Sequence, residues 1–413
     1  MNAPVSPPAK KVYLLQEIVP SYRVPVFRRL AALPGVDLTV FYSRPTRAMR
    51  GENLQNAADI SGFRAVPLRL LEIGRHAWQP GILGHLIRGR PDVLIAGESG
   101  RGDRLLALLL GKVLGIRVLW FLGGVPYTDP AEIRAYARQG RLNRWFGRAN
   151  PRNWLVRQAD GLIVYSAHAK GFYASLGHDP ARIWVAPNSP DTEALEAYGA
   201  EWERQSGAIG AKRRRLSPAG EPVLLLIGRL NRARKVDTLL RALARLRRDG
   251  LGCSLVIVGG GSEQPALEEM AASLGLPNVH FEGPIYDERE LARYYLLCDV
   301  FVTPGVASLA IKMALAFGKP VVTVNYGLEV HDIVDGVNGF VFPMDDDDKL
   351  AIRIRQLLES GELRRAMGRE ALRTIRERVN ISRMITAFQH AIDDEVDIDA
   401  AANGPNPGHH AAS

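Results

Sequence analysis

The 413-residue sequence has only two cysteines, Cys253 and Cys298, and each lies within an apolar run. Thiols in such runs are expected to be buried and unreactive, and so low a cysteine content fits a reducing compartment. No secretory signal is visible at the N-terminus. The longest apolar stretch, 105–122, contains Lys112 and Arg117. It therefore predicts a helix followed by a buried strand rather than a membrane span, and the expected location is cytoplasmic.

Two further signals are missing. No G-x-G-x-x-G follows the first predicted strand, where residues 16–22 read QEIVPSY, and this argues against a dinucleotide-dependent dehydrogenase. The net charge of +9 suits an anionic partner, but no nucleic-acid-binding motif accompanies it, so no nucleic acid partner is expected. The one run of carboxylates, 345–348, precedes a predicted helix and is better explained as helix N-terminal acids than as a metal site.

Short apolar runs alternate with longer amphipathic stretches, and this pattern occurs twice along the chain. It predicts an α/β fold of two Rossmann-like domains, each with a parallel sheet. Such sheets bind ligands beyond the carboxyl ends of their strands, so two facing sheets would form one central cleft. Strands of the second half are predicted at 223–227, 255–258, 279–281, 300–303 and 321–324.

The predicted domain organisation follows from these patterns. A polar segment, 188–221, separates the two halves and is interpreted as an inter-domain connector with some helix. Its basic run, Lys212 to Arg215, is interpreted as a solvated face. The predicted divisions are an N-terminal Rossmann-like domain (1–195), the linker (196–221), a C-terminal Rossmann-like domain (222–379) and a disordered tail (400–413).

The first stretch with chemical character is VLLLIGRLNRARKVDTLLRAL, residues 223–243. A predicted buried strand ends at Gly228, and the loop before the next helix carries Arg229, Arg234 and Lys235. Cations at the carboxyl end of a strand would neutralise a diphosphate leaving group, and the arginine fork offers several donors to phosphate oxygens. The alternative interpretation is a solvated turn.

The second stretch is SLVIVGGGSEQPALEEM, residues 254–270, in which a predicted strand, three glycines and a helix follow one another. Glycines permit close backbone approach, and the helix N-terminus presents amides to an anion. Alone this signal is weak, because glycine turns also occur for packing.

The third stretch covers residues 299–343, where a predicted strand ends at Thr303 and a Pro-Gly turn leads into a helix near Ser308. The amides of Ala307, Ser308 and Leu309 would then form an anion site at the helix N-terminus. A merely structural turn is the alternative.

The three stretches resemble, in order and spacing, the donor-binding half of the family 4 retaining glycosyltransferases. GRLNRARKVDTLL is similar to that family's Gly-Arg-Leu…Lys…Leu-Leu segment, and IVGGGSEQPALEEM to its Val-Gly-x-Gly turn. MALAFGKPVV followed by GLEVHDIVDGVNGFVF is similar to its Ala-x-Gly-x-Pro-Val-Val…Glu…Gly tail. Residues 161–195 resemble its segment ending in Pro-Asn-x-x-Asp, whereas the first 150 residues match only through QEIVPSYRVPVF and the general pattern.

The resemblance implies a GT-B fold, with an acceptor-binding N-terminal domain (1–195) joined by the C-terminal helix (about 380–395) and a nucleotide-sugar-binding C-terminal domain (222–379). It also implies transfer of a sugar from a nucleotide-diphosphate sugar, with retention, to a saccharide or lipid-linked acceptor. Cell-surface polysaccharide or glycolipid synthesis is the expected setting, with the nucleotide sugar as co-substrate and no cofactor or metal ion required. Arg229 occupies the position of the family's diphosphate-binding arginine, and Arg234 occupies the position of its lysine. Lys235 is the next residue. The expected donor-binding residues are Gly228, Gly260, Ala307, Ser308, Leu309 and Glu329.

The chain departs from the family at positions where side chains of catalytic character are common. The family's two glutamates eight positions apart are replaced by Gly305 and Met313, and no histidine follows Trp120 in the first domain. Candidates for the acceptor-side base are Glu98, after a predicted strand, and His168, at the start of a helix. Two alternatives stay open: a non-catalytic nucleotide-sugar or glycan-binding protein of the same fold, and a nucleotide-sugar epimerase.

A row of arginines at helical spacing lies between residues 134 and 152 and predicts a cationic helix face with Trp145 at its edge. Such a face suits an anionic membrane surface or a lipid-pyrophosphate acceptor, which would place the protein peripherally on the inner face of the membrane. A solvated helix face is the alternative. The residues assigned to this surface are Arg138, Arg141, Arg144 and Trp145.

Overall fold

The structure is a computed structural model that describes residues 8–47, 49, 56–73, 76–97, 101–123, 154, 156–306, 309–326 and 329–396. The described chain forms two compact units. The first contains the residues up to Asn188 together with those from Ser382 onwards, and the second contains Ser189–Ile381.

The first unit is built on a seven-stranded parallel sheet in the order β3-β2-β1-β6-β7-β8-β9. Its central strands are apolar and buried throughout, as parallel strands covered on both faces must be. The chain leaves β1 towards β2 and β3 and then returns to β6 on the other side, so the order reverses between β1 and β6. The strands are β1 (Lys10–Leu15), β2 (Val36–Tyr42), β3 (Arg64–Pro67), β6 (Val93–Ala96), β7 (Arg117–Leu122), β8 (Gly161–Val164) and β9 (Ile183–Val185), with a separate antiparallel pair, β4 (Leu71–Ile73) and β5 (His76–Trp78).

Helices connect these strands as the alternating pattern predicts. Helix α1 follows a 3-10 turn, Ser21–Arg23, and buries Val26, Phe27 and Leu30 against the sheet. The helices that the structure describes between these strands are α1 (Val24–Ala31), α2 (Gly81–Gly89), α3 (Arg101–Leu114) and α4 (Ala167–Ser175).

The second unit has a six-stranded parallel sheet in the order β12-β11-β10-β13-β14-β15. Here the order reverses between β10 and β13, and the turns after β10, β11 and β13 lie side by side at the carboxyl edge of the sheet. Ligands of open α/β sheets bind at such a reversal. The strands are β10 (Val223–Ile227), β11 (Ser254–Val258), β12 (Val279–Phe281), β13 (Val300–Thr303), β14 (Val321–Val324) and β15 (Gly339–Phe342).

The helices of the second unit begin before its first strand. They are α5 (Thr192–Arg204), α6 (Ser206–Leu216), α7 (Val236–Arg248), α8 (Gln264–Ser273), α9 (Glu288–Leu297), α10 (Ala310–Ala316), α11 (Asp347–Glu359) and α12 (Gly361–Glu377). The last helix, α13 (Ile381–Asp393), packs on the first unit, where Phe388 contacts Phe121 with ring centroids 5.0 Å apart. No helix in the described part of the chain is both long and apolar enough to span a bilayer.

The segment 196–221, interpreted as a connector with some helix, is helical over most of its length and is grouped with the second unit. Its basic run makes ion pairs rather than facing only water. Lys212 lies 2.7 Å from Glu282, and Arg213 lies 2.7 Å from Asp299. The acidic partners are 70 or more positions away, so the sequence pattern could not show that the run was neutralised.

Candidate active site

The basic turn after β10 combines a glycine with several cations. Gly228 has φ +153°, a conformation that favours glycine, and Arg229 follows it half-buried. A 3-10 turn, Arg232–Arg234, then leads to Lys235, which takes the left-handed conformation at φ +52° and precedes α7. The strand, the basic turn and the helix therefore follow one another as the sequence predicts.

The glycine turn after β11 packs directly against this basic turn. A β-carbon on Gly259 would lie 1.9 Å from the carbonyl oxygen of Gly228, and one on Gly261 would lie 2.2 Å from that of Leu230. The Leu230 amide donates to the carbonyl oxygen of Gly260 at 3.0 Å. Gly259 and Gly261 thus allow two backbone turns to touch, whereas a β-carbon on Gly260 would meet nothing closer than 3.5 Å.

The turn after β13 reaches the same basic turn from the other side. The Val306 amide donates to the carbonyl oxygen of Ala233 at 3.0 Å. Nη1 of Arg234 donates to the Val306 carbonyl oxygen at 2.6 Å, and a β-carbon at position 228 would lie 3.2 Å from Cζ of Arg234. Arg234 thereby links the end of β10 to the turn before α10, and the three predicted stretches meet at one edge of the sheet.

Position 305 has no room for a side chain in this backbone. A β-carbon there would lie 2.2 Å from the carbonyl oxygen of Ala233. Met313, the other position at which the family commonly has a glutamate, is buried in a hydrophobic cluster that also includes Tyr295 and Ala314. In the described part of this turn and helix, the two positions therefore serve packing.

Lys235 pairs with Asp345, a carboxylate distant in sequence that the pattern of residues does not connect with it. Its Nζ lies 2.9 Å from Oδ1 of Asp345, so its charge is already partly compensated before any ligand is considered. The rest of the acidic run confirms the prediction of helix N-terminal acids. Asp346 caps α11 by accepting from the Lys349 amide at 2.8 Å, and Arg245 pairs with Asp347 and Asp348 at 2.9 Å and 2.6 Å.

Sequence reasoning missed a buried ion pair on α10. Lys312 is 3% exposed, and its Nζ lies 3.0 Å from Oδ2 of Asp332. Asp332 ends the 3-10 turn that begins at Glu329, so the pair ties α10 to the turn carrying the predicted donor residue. A lysine within the apolar run AIKMALA was the available signal, since a lysine in a buried helix needs a partner.

Several of the remaining predicted residues lie outside the described residues. Leu309 immediately precedes α10, and His168 is an exposed residue at the start of α4. Cys298 is buried as expected, whereas Cys253 is half-buried, and burial raises the pKa of both thiols to about 12. The predictions that lie outside the described residues concern Glu98, Ala307, Ser308, Arg138, Arg141, Arg144, Trp145 and the tail 400–413.

Comparison with known proteins agrees with this assembly of motifs. Residues 210–374 match the glycosyl transferases group 1 family. The group 1 match includes the basic turn, the glycine turn and α10. The coarser part of the sequence resemblance, to glycosyltransferases, is therefore supported.

Two relatives and one solved structure extend the group 1 comparison. The chain is 30% identical to the D-inositol 3-phosphate glycosyltransferase of Nocardiopsis dassonvillei over 56% of its own length, and this spans only 58% of that relative. It is 29% identical to the GDP-mannose-dependent alpha-(1-6)-phosphatidylinositol monomannoside mannosyltransferase of Mycolicibacterium smegmatis over 69% of its length and 78% of the relative. The crystal structure of Anabaena Alr3699/HepE in complex with UDP is 16% identical, with a TM-score of 0.65 over 93% of this chain and all of that one. This likeness confirms the predicted α/β fold of GT-B type.

Proposed function

We propose that this protein is a retaining glycosyltransferase that binds a nucleotide-diphosphate sugar at the carboxyl edge of its second sheet. The observation that carries the proposal is the meeting of the basic turn, the glycine turn and the turn before α10 where the strand order reverses. Arg229 and Arg234 lie in the basic turn, and arginine forks match phosphate oxygens. The second unit thus supplies cations where a diphosphate would be released.

The proposed mechanism is mainly electrostatic. The acceptor hydroxyl attacks the anomeric carbon on the face from which the diphosphate leaves, so a new glycosidic bond forms as the bond to the diphosphate breaks. The hydroxyl proton passes to an oxygen of the departing diphosphate. Negative charge grows on the leaving group, and preorganised cations aimed at that charge lower the barrier. Arg229 supplies this charge, and Arg234 supports the turn while contributing its own. No metal ion is required for this role.

The relatives support the choice of substrate classes. One relative is named as GDP-mannose-dependent, and the HepE structure contains UDP, so a nucleotide diphosphate sugar is the donor class we propose. The acceptors in the relatives' names are an inositol phosphate and a phosphatidylinositol monomannoside. A saccharide or lipid-linked acceptor is accordingly proposed for this chain, within cell-surface polysaccharide or glycolipid synthesis.

One observation favours a second candidate, a non-catalytic binding protein of the same fold. Gly305 has no room for a carboxylate, and Met313 is buried in the core. Either protein would bind a nucleotide diphosphate, but only an enzyme would consume donor when an acceptor is present. Release of nucleotide diphosphate in the presence of acceptor decides between them.

The first test is a thermal-shift panel of UDP, GDP, ADP and dTDP with their sugars. One base is expected to raise the melting temperature, because a ligand at a hundred times its Kd stabilises the folded state by about 2.7 kcal/mol. The matching nucleoside without phosphates is the control and should give little shift, since the proposed contacts are to the diphosphate. Equal shifts for the nucleoside and its diphosphate would contradict the phosphate site.

We propose that the protein attaches peripherally to the anionic inner face of the membrane. An exposed apolar surface on α3 supports this location. Leu105, Leu109 and Val113 on α3 are 41%, 53% and 81% exposed and share one face of the helix, with the exposed Lys112 beside them. Apolar side chains flanked by a cation fit an anionic lipid surface.

Replacing Leu105, Leu109 and Val113 by serine is expected to lower binding to vesicles containing anionic lipid at least about tenfold, since three apolar side chains leave the bilayer boundary. Co-sedimentation with the vesicles measures the fraction of protein bound. Serine at Arg138, Arg141 and Arg144 should also weaken binding, through lost charge attraction. Ile352, 46% exposed in the second unit, provides the control, as I352S should bind like the wild type. Unchanged binding by both triple variants would refute this location.

A further inference from the structure

Arg23 lies at the carboxyl edge of the first sheet and takes no part in the proposed donor site. It ends the 3-10 turn between β1 and α1 and is only 6% exposed. Phe121, near the end of β7, and Tyr165, directly after β8, both lie against it. The side chain is therefore a buried cation at the edge where open α/β sheets bind ligands.

The neighbours of Arg23 are aromatic or neutral. Its Cζ lies 5.2 Å from the ring centroid of Tyr22 and 5.3 Å from those of Phe121 and Tyr165. Nη2 donates to the Tyr165 hydroxyl, and Nη1 lies 4.0 Å from Sδ of Met384. Among the residues that the structure describes, no aspartate or glutamate oxygen lies within 4.0 Å of the guanidinium.

Two other cations that are buried or partly buried have carboxylate partners. Lys312 pairs with Asp332 at 3.0 Å, and Lys212 pairs with Glu282 at 2.7 Å. Burial of a charge is costly unless it is paired, and ring faces offset only part of that cost. A guanidinium has five N–H donors, far more than one hydroxyl and one thioether accept. Among the described residues, Arg23 therefore has no carboxylate partner of the kind that Lys312 and Lys212 have.

A second unsatisfied donor lies in the same connection. Gln16 follows β1 directly, is 6% exposed, and its Nε2 has no hydrogen-bond partner among the described residues. A β-carbon on Gly97, which follows β6, would lie 2.0 Å from this nitrogen. Gln16 Nε2 therefore lies at the reversal of strand order between β1 and β6.

We propose that Arg23, assisted by Gln16, binds an oxyanion, a phosphate or a carboxylate, carried by the acceptor substrate. The planar guanidinium matches both groups through paired N–H donors, and a bound oxyanion would supply the missing counter-charge. Assignment of the oxyanion to the acceptor rests on the proposed glycosyltransferase function. Binding of the oxyanion by the first unit does not depend on it.

The test is calorimetric titration of inorganic phosphate and of glucuronate into the R229A variant, in which the proposed phosphate site of the second unit is disabled. R229A is expected to bind at least one of the two, and R23M/R229A to bind it about tenfold to a hundredfold more weakly, the usual loss for charged hydrogen bonds. Phosphate and glucuronate distinguish the two kinds of oxyanion. R23K/R229A keeps the charge without the fork, and intermediate affinity is expected.

The melting temperature without ligand distinguishes a binding role of Arg23 from a structural one, because loss of a structural residue would lower it. R23M without ligand should melt no lower than the wild type, because it removes an uncompensated charge among apolar neighbours. Arg117, which pairs with Asp394 at 3.1 Å in the same unit, is the matched control. R117M should lower the melting temperature by about 4 °C, as a compensated cation is lost.

Three results would overturn the proposal: no oxyanion binding by R229A, unchanged binding by R23M/R229A or R23K/R229A, or an R23M variant that fails to fold or melts as low as R117M. The nucleotide panel applied to R23M distinguishes a failure of the oxyanion proposal from a failure of the proposed glycosyltransferase function. R23M should keep the wild-type shift with the cognate nucleotide diphosphate, because that site belongs to the second unit.

Discussion

Arg229→Ala is expected to abolish the thermal stabilisation that the cognate nucleotide diphosphate gives the protein, and to lower the transfer rate by about a hundredfold to a thousandfold. Each hydrogen bond between a charged donor and phosphate contributes about 1.5–3 kcal/mol, so losing a bidentate arginine removes most of the diphosphate affinity. The rate falls because the same cation stabilises the charge of the departing diphosphate, and one preorganised donor is commonly worth that factor. Thermal shift measures the first effect and donor turnover the second.

The basic turn offers a matched control for this experiment. Arg232 lies three residues further on, its side chain is 92% exposed, and its nearest carboxylate is Glu263 at 3.8 Å. R232A removes the same charge from the same turn and should keep both the shift and the rate. R229K should be intermediate, because it retains the charge but not the planar fork. A full nucleotide shift in R229A, or an equal loss in R232A, would mean that the diphosphate binds elsewhere.

Gly259→Ala is expected to destabilise the second unit by about 2–6 kcal/mol and to abolish nucleotide binding. The new β-carbon would lie 1.9 Å from the Gly228 carbonyl oxygen, and position 259 has φ +150°, which L-residues rarely adopt. Backbone strain and overpacking each cost about 1–3 kcal/mol. Relief of the clash would displace Gly228 and hence Arg229, so binding is lost along with stability. Calorimetry and the nucleotide panel measure the two effects.

The neighbouring Gly260 separates this explanation from a general intolerance of the turn to side chains. A β-carbon at position 260 meets Pro284 at 3.5 Å, an ordinary contact, so G260A should change stability by no more than about 0.5 kcal/mol. A G259A variant as stable as G260A would show that the two turns are not in backbone contact. The close approach on which the site's geometry depends would then be absent.

Much of the second domain could be predicted from its pattern of apolar residues. Strands β10, β12, β13 and β14 have their predicted bounds, since parallel strands buried on both faces form uninterrupted apolar runs between turns. β15 was missed, because GFVF lies among polar and glycine residues that typify a loop. The basic run Lys212 to Arg215 was interpreted as a solvated face for a related reason. Its charges are neutralised by Glu282 and Asp299, and polarity alone cannot distinguish a paired cation from a solvated one.

The residue order was sufficient to place the arginines, the glycine triplet and the Pro-Gly turn at the carboxyl ends of three strands, because helical and extended periodicities are local properties. Their contacts with one another are not local. Arg234 reaches the Val306 carbonyl oxygen, Lys235 pairs with Asp345, and Arg23 lies buried between rings of two distant strands. Strand order in each sheet decides which turns are neighbours, and this depends on the packing of the whole unit. Which cations face a carboxylate and which lack one was therefore settled only when the chain had folded.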